Sequence, residues 1–309
     1  MTRCSIQIVM GPAGSGKSTY CQAMQNHADT LPRRKIHVGN LDPAAGDDFG
    51  YACDFDIRDL ISVEDVMEEV ELGPNGALVY CMEYLLQNGL SWLQERLDEY
   101  TDDDYLLLDC PGQIELYTHI PVMRQLIVML RQWGYEADMV GVFCVDATFL
   151  TDTSKFISGS LLSLTAMIAL ELPHVNILTK CDLVSEETVD TMLSVESATQ
   201  LWDWEQLQDN RETYIDREDG KPSVTRLIKP AHDFSNTNIP TATKNNKWTR
   251  LTSAISSLLD DYTMVSFLPL NITEPESMDH VLTIVDHAIQ FGEDQDVYTG
   301  DGPEQQEQE

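Results

Sequence analysis

The sequence predicts an α/β fold in which helices cover both faces of a mostly parallel sheet. Three observations lead there. Apolar, strand-like runs alternate with stretches of helical period. The first run passes through a glycine-rich loop straight into a helix. Two later runs end in short polar motifs, the place where ligand-binding residues sit in such sheets.

Taken in order, strands are expected at 5–10, 35–41, 105–109, 139–146, 175–179 and 263–268, with helices between them. Roughly sixty residues separate the second strand from the third, far more than an ordinary crossover needs. Helical stretches at 63–72 and 77–100 flank Gly73-Pro74-Asn75-Gly76 there, so 55–101 reads as a helical insertion. Residues 195–250 hold Trp202, Trp204 and Trp248 among polar residues and prolines, without a strand–helix rhythm, and read as a smaller, mainly helical lobe. These parts make one domain over 1–292. Residues 293–309 are acidic, Gln-rich and nearly free of apolar side chains, which predicts a disordered tail.

Composition narrows the function. The 309-residue chain carries 52 acidic against 19 basic residues, a formal net charge of −33, which disfavours direct binding to DNA, RNA or an anionic membrane. A large partner is expected to offer a basic surface, unless the acidity serves only solubility. The most apolar long stretch, 157–172, is interrupted by Ser158, Ser160, Ser163, Thr165 and Glu171, so no membrane span is expected. Seven cysteines form no C-x-x-C pair and no Cys/His cluster, which fits a reducing intracellular compartment and no structural metal.

Three motifs carry chemistry. Gly11-Pro-Ala-Gly-Ser-Gly-Lys-Ser18 matches G-x-x-x-x-G-K-[ST] between a strand and a helix, the context of a phosphate-binding P-loop. Backbone N–H groups around Gly14, Ser15 and Gly16 can wrap phosphates, and Lys17 adds a cation. Ser18 can ligate Mg²⁺, and Thr19 continues the nucleotide-binding turn. Asp109-Cys-Pro-Gly-Gln113 follows an apolar strand and matches a switch in which the aspartate serves the Mg²⁺ shell and the glutamine orients water, though D-x-P-G alone is also an ordinary turn. Thr179-Lys180-Cys181-Asp182 matches the [NT]-K-x-D guanine motif. A carboxylate at Asp182 pairs with guanine donors and would be left unsatisfied by adenine. Asp42, in Asn40-Leu-Asp-Pro-Ala44 at the end of the second strand, suits Mg²⁺-bound or attacking water, or a turn. Gly73, Pro74 and Asn75 suit helix ends: Gly73 closing one helix, Pro74 stopping it and Asn75 capping the next.

The set G-P-A-G-S-G-K-S-T, N-L-D-P-A, G-P-N, D-C-P-G-Q-I-E-L and T-K-C-D resembles the GPN-loop GTPases over residues 3–290, with wording most similar to the third eukaryotic paralogue. That resemblance implies a P-loop NTPase fold and a GTPase with Mg²⁺ as cofactor. Ser18, Asp42 and Asp109 would serve the metal, and Asp42, Asp109, Gln113 and Glu115 would surround the attacking water. It further implies a homodimer, or a heterodimer with a paralogous GPN-loop GTPase, in which Asn75 reaches the partner's γ-phosphate. The cellular role it implies is assembly and nuclear import of RNA polymerase II through that enzyme's subunits, by a cytoplasmic protein shuttling to the nucleus. A GTP-gated binding module or assembly chaperone, in which hydrolysis only resets the cycle, is the alternative. One departure is the base-packing loop, expected near Ser266 and Phe267, which does not read as the S-A-K of small GTPases.

Overall fold

The computed structural model describes residues 4–31, 34–101, 104–135, 138–151, 153–185, 189, 254, 255, 257 and 266–291. The expected lobe at 195–250 and the expected tail at 293–309 lie wholly outside the described residues. The chain divides into two units, Met1–Leu193 with Met264–Glu309, and Ser194–Thr263. All elements below belong to the first.

Seven strands form one sheet: β1 (Ser5–Met10), β2 (Ile36–Asn40), β3 (Cys53–Asp56), β4 (Tyr105–Asp109), β5 (Met139–Asp146), β6 (His174–Thr179) and β7 (Phe267–Pro269), in the order β3-β2-β4-β1-β5-β6-β7. Every neighbouring pair is parallel. The near-continuous apolar runs of β1, β4 and β5 suit strands covered on both faces, and every residue of β1 and β4 is buried. Register sets the functional edge. Val9 and Asn40 both lie opposite Asp109, and Asp146 lies opposite Thr179, so these strand ends reach the same side of the sheet.

Helix α1 (Lys17–Ala28) follows β1 directly. The insertion holds α2 (Val63–Val70), α3 (Pro74–Asn88) and α4 (Leu90–Leu97). Past β4 come the short α5 (Glu115–Thr118), then α6 (Val122–Leu130) and α7 (Thr153–Leu170). Last is α8 (Pro275–Ile289), with Pro275 in its first turn and Val281, Leu282, Val285 and Ile289 buried along one face. Arg34, just before β2, donates two hydrogen bonds of 2.6 Å to Asp286 of α8 and lies over the Tyr105 and Phe291 rings. That fork ties the last helix to the sheet.

Several expected boundaries are corrected. The insertion begins with a strand, not a helix: β3 is an acidic four-residue edge strand whose single buried side chain, Phe55, is too little apolar pattern to announce it. The 77–100 helix breaks at Gly89, which closes α3 and opens α4. The last strand, expected at 263–268, is described over Phe267–Pro269, one residue past the expected end, while 263–265 lie outside the described residues. The helix-end reading of the Gly-Pro-Asn triplet also changes. Glu71, in the left-handed region at φ 57°, ends α2, while Gly73 is the N-cap of α3 and Pro74 its first residue. Asn75 therefore lies inside α3 and is not its cap.

Phe55 also explains Gly39. A Cβ on Gly39 would lie 2.2 Å from Cζ of the Phe55 ring, so the bare backbone of β2 is what lets β3 seat there. Gly39→Ala should lower stability by about 1–3 kcal/mol through overpacking. Phe55→Leu in the same chain should recover part of that loss. Urea unfolding midpoints of the two variants would check both expectations.

Candidate functional site

The loop after β1 is built for close approach. Gly14 and Gly16 take φ of 75° and 87°, and Gly11 takes φ 141°. A Cβ on Gly11 would fall 2.4 Å from the Cys144 carbonyl oxygen, so the loop lies directly on β5. Ser15 N–H donates to Pro12 O at 3.1 Å and Lys17 Nζ to the same oxygen at 3.2 Å, folding the loop around the amino end of α1. Ser15 is 3% exposed, and its Oγ is buried without a hydrogen-bond partner among the described residues. A buried hydroxyl beside a helix N-terminus and a lysine suits a phosphate oxygen.

Two carboxylates converge beside this loop. Asp109 ends β4 at 3% exposure and accepts from the Tyr51 hydroxyl at 3.1 Å. Burial pushes its pKa up; the Ser18 and Tyr51 hydroxyls and the Lys17 charge pull it back, while Asp42 pushes it further up. Asp42 follows β2 and accepts from Ala44 N–H at 2.9 Å. Burial raises its pKa as well, opposed by the N–H groups of Ala44 and Gly112 and by the Lys17 and Arg58 charges. Ser18, Lys17, Asp42 and Asp109 are thus electrostatic neighbours, as the motifs require. Among the described residues no group of three or more His, Cys, Asp or Glu forms a metal cluster. One hydroxyl and two under-compensated carboxylates fit the sparse protein share of an Mg²⁺ shell that phosphates and water complete.

Gln113 and Asn75 meet within one chain: Gln113 Nε2 donates to Asn75 Oδ1 at 2.8 Å. Gly112 sits against the P-loop, where an added Cβ would lie 2.9 Å from Ala13 Cα. Glu115 opens α5 with an exposed side chain that makes no hydrogen bond or ion pair among the described residues. It is the expected catalytic residue that these contacts do not bring into the cluster.

At the far end of the sheet edge, the Thr179 hydroxyl lies 2.5 Å from Ser15 O and 3.1 Å from Val145 O, locking the strand end to the P-loop. Lys180 takes the left-handed φ of 59°, which sends its Nζ to Gly14 O at 2.7 Å and Asp146 Oδ2 at 2.6 Å. Burial raises the Asp146 pKa, but Lys180 and Thr148 outweigh it and hold the carboxyl below the usual range. Asp182 is exposed at the mouth of a cavity whose other walls include Gly16, Thr19, Tyr20, Leu270 and Ile272.

Ser266 and Phe267, near which the base-packing loop is expected, do not line this cavity. Phe267 is buried in β7 against Phe156, with ring centroids 5.6 Å apart, and Ser266 O accepts from Asn176 Nδ2. Leu270 and Ile272, just beyond β7, supply the apolar wall. The available signal was their place after the last strand of a parallel sheet. Tyr51, also missed, carried no motif.

Comparisons place this geometry in a family. A family model described as "Conserved hypothetical ATP binding protein" matches residues 9–291. The chain is 44% identical over 289 residues to a GPN-loop GTPase 3 from Dictyostelium discoideum, covering 94% of this chain and 88% of that one. It is 45% identical to GPN-loop GTPase 3 from Danio rerio, covering 94% and 90%, and 41% identical to that of Saccharomyces cerevisiae, covering 96% of each. A GTPase from Pyrococcus abyssi, solved in its apo form, shares the fold with a TM-score of 0.66 at 20% identity, covering 93% of this chain and 97% of the other. With relatives of this identity matching nearly its whole length, the chain belongs to the GPN-loop GTPase family.

Proposed function

We propose that this chain binds GTP and hydrolyses its β–γ phosphoanhydride bond as a dimeric switch. The observation that carries the reading is the single edge on which Lys17, Asp42, Asp109 and Asp182 stand, with Thr179 and Lys180 bonding the base end to the phosphate end. The matching family model speaks of ATP. Asp182 favours guanine, because its carboxylate can accept from the ring N–H and the amino group together.

In this reading the P-loop N–H groups and Lys17 hold the phosphates. Asp42 and Gln113 hold a water in line with the γ-phosphorus, and the negative charge gathered at the transition state meets fixed donors. Ser18, Asp42 and Asp109 would hold Mg²⁺, directly or through water, and the ion would neutralise phosphate charge. Dimerisation is supported by the exposed position of Asn75 at the start of α3, where it touches Gln113 and can face a partner's phosphates. Met67, Val70 and Tyr80, exposed by 38%, 44% and 40% on the same insertion, support the binding-module alternative, in which GTP gates a partner surface. By family resemblance the client is RNA polymerase II, assembled in the cytoplasm and escorted to the nucleus.

Calorimetric titration tests the assignment. Asp182→Asn should weaken GTP binding at least about tenfold, as expected for lost charge-assisted bonds. Equal affinity of the wild type for ATP and GTP would sink the guanine reading. Ile272→Asp should weaken GTP and GDP alike by about tenfold, since it strips apolar contact from the base and not from the phosphates. Gln113→Ala should slow single-turnover hydrolysis at least about tenfold and leave GTP affinity within about threefold. Affinity purification with GTP-loaded Gln113→Ala and with GDP-loaded wild type should recover RNA polymerase II subunits in a nucleotide-dependent way; identical recoveries would argue against a switch.

A further inference from the structure

The turn that presents Asp42 is gripped from both sides, by Asn40 within its own motif and by Asp56 and Arg58 outside every motif named above. Asn40, the last residue of β2, is fully buried, and its amide has no apolar role to play there. Its Oδ1 accepts from Asp42 N–H at 2.9 Å, and its Nδ2 lies 3.1 Å from Asp42 O. One side chain therefore holds residue 42 by both of its backbone polar groups. The same Nδ2 donates to Asp56 Oδ1 at 2.8 Å, across the β2–β3 pairing in which Asn40 faces Asp56.

Asp56 is the hub. Its Oδ1 also accepts from Arg58 N–H at 2.9 Å, and its Oδ2 accepts from Arg58 Nε at 2.9 Å and Nη2 at 2.8 Å. Held this way, the Arg58 guanidinium reaches the segment that follows Asp42. Nη1 donates to Ala45 O at 3.1 Å and Asp47 Oδ1 at 3.2 Å, and the group lies 4.8 Å from the centre of the Phe49 ring. The Asp47 carboxylate is fully exposed and adds little, whereas the fork to Asp56 is largely sheltered from solvent. A strand-end turn needs one side-chain cap at most. This one has a buried amide, a carboxylate and an arginine in series, and the group they jointly aim is the Asp42 carboxylate beside Lys17 and Gly112 N–H.

Resting on the assignment of Asp42 to the attacking water, we propose that Asn40, Asp56 and Arg58 are positioning residues that set the Asp42 carboxylate for GTP hydrolysis, so that β3 belongs to the catalytic apparatus and not only to the edge of the sheet. Asp42 touches the reacting water; the three others act through it. Loosening the bracket lets the carboxylate wander by a fraction of an ångström, which slows chemistry while leaving ground-state binding of the nucleotide nearly intact.

The test is single-turnover GTP hydrolysis and GTP affinity of the full chain, with folding checked by thermal melting. Asp56→Ala should hydrolyse about tenfold more slowly, with GTP affinity within about threefold of wild type. Asp56→Asn, which keeps an acceptor for Asn40, should recover most of that rate. Arg58→Gln, on the more accessible side of the bracket, should also slow hydrolysis, and it serves as the test if Asp56→Ala does not fold. In an Asp42→Ala background, Asp56→Ala should cost nothing further, because it acts through the group already removed. Wild-type rates in both Asp56→Ala and Arg58→Gln, or losses that add in the Asp42→Ala background, would overturn the proposal while leaving the role of Asp42 standing. An unimpaired Asp42→Ala would remove the role of Asp42 itself.

Discussion

Everything in this site depends on the common direction of the seven strands. A parallel pair cannot be closed by a tight turn, so each crossover returns over a face of the sheet, and the carboxyl ends of all strands emerge on one edge. The loops after β1, β2, β4 and β6 then carry the P-loop, Asp42, Asp109 and the Thr179–Asp182 segment to that edge. Register makes the alignment specific, because a slip of one residue would turn each side chain to the opposite face. Asp109 paired with both Val9 and Asn40 is the register that brings two carboxylates beside Lys17.

The electrostatics of that edge follow from crowding. The chain is strongly acidic, yet its buried charges at the site are Lys17, Asp109 and the half-buried Asp42. Burial lifts both carboxyl pKa values, and for Asp109 the neighbouring Asp42 adds to the lift. A polyphosphate would make this worse by itself, since it adds negative charge where two carboxylates already compete for one lysine. The arrangement therefore suits an anion that arrives with a divalent cation, which is how nucleoside triphosphates bind at P-loops.

The insertion is not a passive addition to this edge. Gly73 and Pro74 start α3 by ordinary capping chemistry, and that start places Asn75 against Gln113. The contact gives the Gly-Pro-Asn triplet a physical link, inside one chain, to Gln113, the residue proposed to position water. Neighbouring residues divide the work: Gly73 and Pro74 hold the helix end, and the Asn75 side chain takes the hydrogen bond from Gln113.

The linear pattern determined what depends on local order. G-x-x-x-x-G-K-[ST] between a strand and a helix, D-x-P-G-Q after an apolar run and T-K-x-D after another each announce their chemistry within a few residues, and they were legible together with the parallel sheet. Tertiary structure decided what depends on contacts between distant segments. β3 exists because Gly39 leaves room for Phe55, the cavity beside Asp182 takes its apolar wall from Leu270 and Ile272 far along the chain, and Asn40, Asp56 and Arg58 meet only when β2 and β3 pair. A four-residue edge strand or a single buried asparagine has too few side chains to leave a periodic trace. Its identity is set by the neighbour it packs against, and that neighbour is chosen by the fold.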